Sequence, residues 1–203
     1  MCSIIGSFHK DKIFELIELN AYRGQHSWSI SYYDCIWDYM KSIKRGMGEI
    51  PKDLINIGLN EYCIVHMQAP TTSNKDLDTV HPAEIDESHL WHNGIIKAEW
   101  VNAREKGAWD TYLILKQYLD TKDLNDIDGT FACLMHDRDR LYLFRNEISP
   151  LFIDKYSNIS STKFEDSHMI SPNKLFRFTP GDATLKEVGS FNTVNNPYYG
   201  LDL

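Results

Sequence analysis

Cys2 follows Met1 directly, in Met1-Cys2-Ser3-Ile4-Ile5-Gly6. Methionine is normally trimmed before a small residue, and trimming leaves a cysteine carrying both a thiol and a free α-amine. An α-amine titrates ordinarily at roughly 7.7–8.0 and a cysteine thiol at about 8.5. One residue could therefore supply a nucleophile and its base. Cys2 reads equally as a small hydrophobe opening a strand, the usual use of free cysteine. The other chemistry-bearing residues have similarly plain readings. Asn93-Gly94 is a turn dipeptide, Arg23 is a turn arginine, Thr71 is a loop hydroxyl, and Asp110 is a helix N-cap. His66 and His92 each end an apolar stretch and read as buried, hydrogen-bonded histidines. Cys35, Cys63 and Cys133 sit in aromatic or apolar stretches and read as packed thiols.

The elements that must position these residues follow from hydrophobic period. Ser3 to Phe8 reads as a strand, and Lys10 to Tyr22, with Ile13, Leu16, Ile17 and Ala21, reads as a helix. After the Tyr22-Arg23-Gly24 turn, Ser27 to Tyr33 alternates as a strand. Ile36 to Lys44 reads as a short helix, with Gly46, Gly48 and Pro51 marking a loop. Tyr62 to His66 is a strand. Thr71 to Glu87 is a polar loop, long enough to suggest a lid or binding loop. Leu90 to Asn93 returns to a strand, and Thr111 to Leu119 is a helix capped by Asp110. Thr130 to His136, Leu141 to Arg145 and Leu151 to Asp154 read as strands, the first two joined by the Asp137-Arg138-Asp139-Arg140 turn. Weaker strands follow at Lys174 to Phe178 and Ala183 to Val188, before an Asn/Pro/Gly-rich end. Many strands adjacent in sequence, with two substantial helices, indicate mixed α+β with largely antiparallel sheets.

The 203 residues suit one domain, 1–203, and no linker divides it. A formal charge of −8 disfavours nucleic acid and anionic membrane as partners, which need basic surface. The small basic run Lys41 to Arg45 reads as a solvated face. No run of about eighteen apolar residues exists to span a membrane, and His9 to Lys12 interrupts any signal peptide. The four scattered cysteines fit a reducing, cytoplasmic setting. The eight histidines show no zinc-ligand spacing, so neither metal nor other cofactor is expected.

Several pieces occur in a telling order: Cys2-Ser3-Ile4-Ile5-Gly6, Tyr22-Arg23-Gly24-Gln25-His26-Ser27, His66-Met67-Gln68-Ala69-Pro70-Thr71, His81-Pro82, Trp91-His92-Asn93-Gly94 and Trp109-Asp110-Thr111. Together they resemble the class II glutamine amidotransferases of the N-terminal-nucleophile hydrolases, over residues 1 to about 155. The resemblance implies a four-layer αββα sandwich. It also implies release of ammonia from glutamine through a γ-glutamyl thioester on Cys2, with Asn93 and Gly94 holding the oxyanion. By the same resemblance Asp110 engages the substrate's α-amino group, Thr71 lies in the carboxylate-binding stretch, and Arg23 orders the site. The chain is short for a second catalytic domain, so a separate ammonia-accepting synthase subunit is the implied partner.

Three positions depart from the family pattern. Gln68 stands where the family has the arginine that holds the substrate carboxylate, a charge-assisted fork that a neutral amide cannot reproduce. Ser3 replaces a glycine and His26 an aspartate. Arg104 or Lys97 could supply the missing cation. Alternatively, the substrate could be a γ-glutamyl amide lacking a free carboxylate, or the domain could bind glutamine feebly and work only when a partner closes the pocket; a silent binding or regulatory domain is the remaining alternative.

Overall fold

The computed structural model describes residues 2–69, 77–182 and 184–194. The chain begins with β1 (Ser3–Ser7) and α1 (Lys10–Asn20), followed by β2 (Ser27–Asp34), β3 (Tyr39–Met47) and β4 (Glu61–Gln68). Next come β5 (Ala83–Ile85), β6 (Ser88–Ile96), α2 (Ala98–Arg104) and α3 (Asp110–Thr121). The remainder is β7 (Gly129–Asp137), β8 (Arg140–Arg145), β9 (Phe152–Ile153), β10 (Ile159–Ser160), β11 (His168–Met169), β12 (Lys174–Phe178) and β13 (Lys186–Ser190).

Two sheets form. The first has seven strands in the order β11-β9-β10-β1-β4-β2-β3, the second six in the order β13-β12-β8-β7-β6-β5. Each neighbouring pair is antiparallel. Successive strand residues point to opposite faces, and here both faces of each sheet are covered. Ile5, Trp28, Ile30 and Val65 pack with Ile13, Leu16 and Ile17 of α1. Ile4, Ile64, Trp91, Leu134 and Leu143 fill the layer between the sheets. Leu90, Phe131, Cys133 and Phe144 pack with Trp100, Leu113, Ile114 and Tyr118 of α2 and α3. The layers run helix, sheet, sheet, helices: the αββα sandwich expected.

The expected helix over Ile36 to Lys44 is a hairpin instead. Asp34 Oδ1 accepts the backbone N–H groups of Ile36 at 2.9 Å and Trp37 at 3.0 Å, the side-chain turn that aspartate favours. Asp38 then takes a left-handed conformation at φ 53° and reverses the chain into β3, which pairs along β2 from Ser27↔Met47 to Asp34↔Tyr39. Nor is Thr71 to Glu87 one continuous loop: Leu77–Thr79 is a 3-10 turn, and Ala83–Ile85 pairs with β6. Asp110 is the first residue of α3 rather than its cap; Trp109 holds the cap position. The last strand lies at Lys186–Ser190, later than Ala183 to Val188. No helix among the described residues is long and apolar enough to cross a membrane.

Phe131 is fully buried and packs its ring against Phe144 and Phe191, with centroids 6.2 and 5.7 Å away. Phe131→Ala should lower unfolding stability by about 3–5 kcal/mol, read as a fall in urea midpoint with little change in slope.

Candidate active site

Strand parity brings the first residues together. Ile4 points between the sheets, so Cys2, two residues before it, shares that face. Trp91 does the same in β6, which carries Asn93 along. On β4, Ile64 sets the parity of His66 and Gln68. The edge of the layer between the sheets therefore carries Cys2, Gln68 and Asn93.

Cys2 is 5% exposed, and its Sγ lies 3.7 Å from the Ala69 carbonyl. Arg23 is buried, not an exposed turn residue; its Nε donates to the Cys2 carbonyl at 2.9 Å and its Nη1 reaches the Tyr22 hydroxyl at 3.1 Å. Gly24 lets the turn close on β4, since a Cβ there would sit 2.4 Å from the Ala69 nitrogen. Burial pushes the Cys2 thiol above its ordinary pKa; the Ala69 contact lowers it, the Asp110 carboxylate raises it and the Arg23 guanidinium lowers it. The thiol thus shares one electrostatic environment with Arg23 and Asp110, and is held protonated at neutral pH.

Asn93 is 2% exposed, and its Nδ2 donates to Ser161 Oγ at 3.4 Å. Ser161 also accepts the Ile4 N–H at 3.0 Å and returns its own N–H to the Ile4 carbonyl at 3.0 Å. It ties β1 to Asn93 of the opposite sheet. Sequence reasoning missed Ser161, because nothing local marks a serine after a two-residue strand as special. Gly94 is required sterically: a Cβ would lie 1.8 Å from the Thr130 carbonyl oxygen.

Behind these residues runs a buried polar series. Gln68 Oε1 accepts from Ser27 Oγ at 3.2 Å and lies 3.3 Å from His81 Nδ1, while Nε2 donates to the Thr79 carbonyl at 3.3 Å. His81 Nε2 is 3.0 Å and His92 Nδ1 3.2 Å from Thr111 Oγ1. His92 Nε2 faces the Thr130 carbonyl at 3.3 Å, and His66 Nε2 meets the His92 carbonyl at 3.0 Å. The His81 ring stacks on His66 with centroids 4.0 Å apart and meets Trp109 edge-on at 5.0 Å. Asp110 Oδ1 accepts the Thr111 N–H at 2.7 Å. Burial depresses His66 to about 3. Both His66 and His92 are buried and hydrogen-bonded, as read from the sequence. His81, part of the His81-Pro82 motif without a role of its own there, is the hub of the series.

Neither candidate cation reaches this place. Lys97 pairs with Asp128 at 2.8 Å, and Arg104 lies over the Trp100 ring at 3.6 Å. Arg45 is not a solvated charge; it donates to the Val80 and Pro82 carbonyls, both at 3.0 Å, and pairs with Glu84. His26 is half-buried beside β4, its backbone N–H donating to the Gln68 carbonyl at 3.0 Å. Thr71 lies outside the described residues. All four cysteines are free, and among the described residues no three His, Cys, Asp or Glu gather into a metal-binding group.

The fold, two antiparallel sheets packed face to face between helices, is shared with solved structures. Two solved structures carry the comparison. One is glutamine phosphoribosylpyrophosphate amidotransferase from B. subtilis, complexed with ADP and GMP, at TM-score 0.60 and 14% identity, covering 93% of this chain and 49% of that one. The other is described as the allosteric regulatory enzyme of purine biosynthesis, at TM-score 0.61 and 15% identity, with 93% and 48% covered. The chain therefore spans about half the length of both. At such identity the likeness shows the fold. No protein-family model matches the chain, and no curated protein matches it in sequence.

Gly94→Ala should force β6 away from β7, because the obstructing atom is backbone. The expected cost is about 1–3 kcal/mol, typical of overpacking, whereas Gly189→Ala, where a Cβ would make only an ordinary 3.7 Å contact with Leu175, should lose less in the same thermal melts.

Proposed function

We propose that the protein hydrolyses the side-chain amide of glutamine through a γ-glutamyl thioester on Cys2 and releases ammonia. The convergence of Cys2, Arg23, Asn93, Gly94 and Asp110, drawn from four separated segments, at one edge of the layer between the sheets carries this reading. A thiol held protonated needs a base of its own, and the α-amine freed by removal of Met1 is the base next to it. The amine takes the thiol proton as sulfur bonds to the amide carbon. The oxygen then carries the negative charge, met by the second Nδ2–H of Asn93 and the N–H of Gly94. Collapse breaks the C–N bond, and the amine's extra proton goes to the departing ammonia. Water then cleaves the thioester, returning glutamate and thiol.

In this reading the substrate's α-carboxylate lies toward Gln68 and Thr71, and its α-amino group toward the Asp110 carboxylate. Arg23 positions Cys2 by holding its carbonyl. The ammonia passes to a separate synthase subunit, and the chemistry belongs to the cytoplasm. The αββα fold shared with amidotransferases supports the assignment.

Intact mass before and after incubation with diazo-oxo-norleucine, a glutamine-like affinity label, tests the reading. The expected result is a chain lacking Met1 that gains one adduct, with no adduct on Cys2→Ala. Persistence of Met1, or an adduct that survives the substitution, would overturn it. Asn93→Ala should lower kcat for ammonia release by about 10²–10³, the loss typical of one oxyanion donor, and leave the adduct site unchanged.

A further inference from the structure

The buried series behind Gln68 holds an unusual proton demand. The Thr79 carbonyl must receive an N–H, so Gln68 turns Nε2 toward it and presents Oε1 to His81 Nδ1. That contact asks for a proton on Nδ1. The Thr130 carbonyl likewise asks for one on His92 Nε2. A neutral His92 then leaves Nδ1 as an acceptor, which takes the Thr111 hydroxyl proton. Thr111 Oγ1 is left to accept from His81 Nε2, which asks for a proton there too. Satisfying every contact thus takes one proton more than two neutral imidazoles carry. Turning the Thr111 hydroxyl toward Asp110 Oδ1, 3.3 Å away, would ask His92 Nδ1 to donate as well and raise the surplus to two.

We infer that the His81–Thr111–His92 series takes up one proton when glutamine binds, and that His81 thereby provides, one hydrogen bond behind the neutral Gln68, the positive charge for the α-carboxylate. This rests on the reading above, in which that carboxylate lies toward position 68. His81 is a positioning and charge-bearing residue; Gln68 makes the contact.

The groups facing His81 fit a charge that arrives with the substrate. His66 on β4 is stacked against it, Arg45 on β3 holds the carbonyls on either side of its segment, and His92 on β6 lies across Thr111. Burial, the His66 and His92 rings and the Arg45 charge keep His81 neutral, well below its ordinary pKa. Opposing them is the Asp110 carboxylate at the start of α3, which favours the protonated form of His92. An incoming carboxylate at half-buried Gln68 adds a second negative neighbour and tips the balance. The neutral, singly protonated pair is left with one acceptor-to-acceptor contact, which the extra proton relieves.

Linkage gives the sign. A group whose pKa rises on binding takes up a proton, and affinity falls as pH climbs from the free toward the bound pKa. The experiment is calorimetry of glutamine binding to Cys2→Ala, which cannot turn over, in buffers of small and large ionisation enthalpy between pH 6 and 8. The expected result is uptake of close to one proton, with Kd rising up to tenfold per pH unit. Adding His81→Gln should abolish the uptake and weaken binding at least tenfold. Adding Gln68→Arg, which installs a fixed charge, should abolish the uptake without weakening binding. Binding with no uptake in Cys2→Ala, or uptake that survives His81→Gln, would overturn the inference. Binding of a carboxylate-blocked γ-glutamyl amide but not of glutamine would also overturn it, while leaving the Cys2 chemistry intact. Failure of Cys2 to take the affinity label strikes the functional reading itself.

Discussion

A strand covered on both sides must divide its residues between two different environments, and nearly everything here depends on that alternation. β1 gives Ile5 to the α1 layer and Ile4 to the layer between the sheets. β6 gives Leu90 to the α2 and α3 layer and Trp91 to the opposite one. Because the period is two, the fate of Cys2 and Asn93 is fixed by Ile4 and Trp91: large apolar side chains that cannot be exposed hold these two on facing surfaces. A one-residue slip would turn both toward the helices. Ser161, fastened to Ile4 from one sheet and to Asn93 from the other, pins the two surfaces at the same level.

The second organising feature is where the apolar layer stops. Toward the start of β1 it gives way to Gln68, His66, His81, His92 and Thr111, nearly all withdrawn from water. Buried polar groups are tolerable only when paired, and these pair mostly with each other and with backbone carbonyls. His66 Nδ1 has no hydrogen-bond partner among the described residues. Such a series is rigid, because each member's orientation is set by the next. It links Gln68 on one sheet to Asp110 at the head of a helix covering the other, so both residues are positioned by one set of contacts.

Much of this could be read from the sequence, for reasons that differ by element. β1, β4, β6 and β7 have residues buried on both faces and read as dense apolar runs. α1 and α3 carry a helical stripe. β3 could not be read, because it is an edge strand with mostly exposed side chains, and its start depends on Asp34 and Asp38 rather than on any period. In Ile36, Trp37, Met40 and Ile43 the spacing imitates a helix while the chain turns. α2 is only seven residues long and leaves little periodic signal. In the site, Cys2, Asn93, Gly94 and Asp110 stood out through motif order. Ser161 and the hub position of His81 did not, since each exists only through contacts between distant segments. The notion that Lys97 or Arg104 could substitute for an arginine at position 68 failed because both charges are engaged elsewhere, by Asp128 and Trp100.

Residues flanking a strand ordinarily open before the sheet does unless something ties them down. Cys2 is held by its carbonyl to Arg23 and by its sulfur to Ala69, and the next residue already pairs in the sheet, Ser3 opposite Met67. Little freedom remains beyond rotation about the bonds of Cys2 itself. On warming, Cys2 should therefore loosen with the sheet rather than ahead of it.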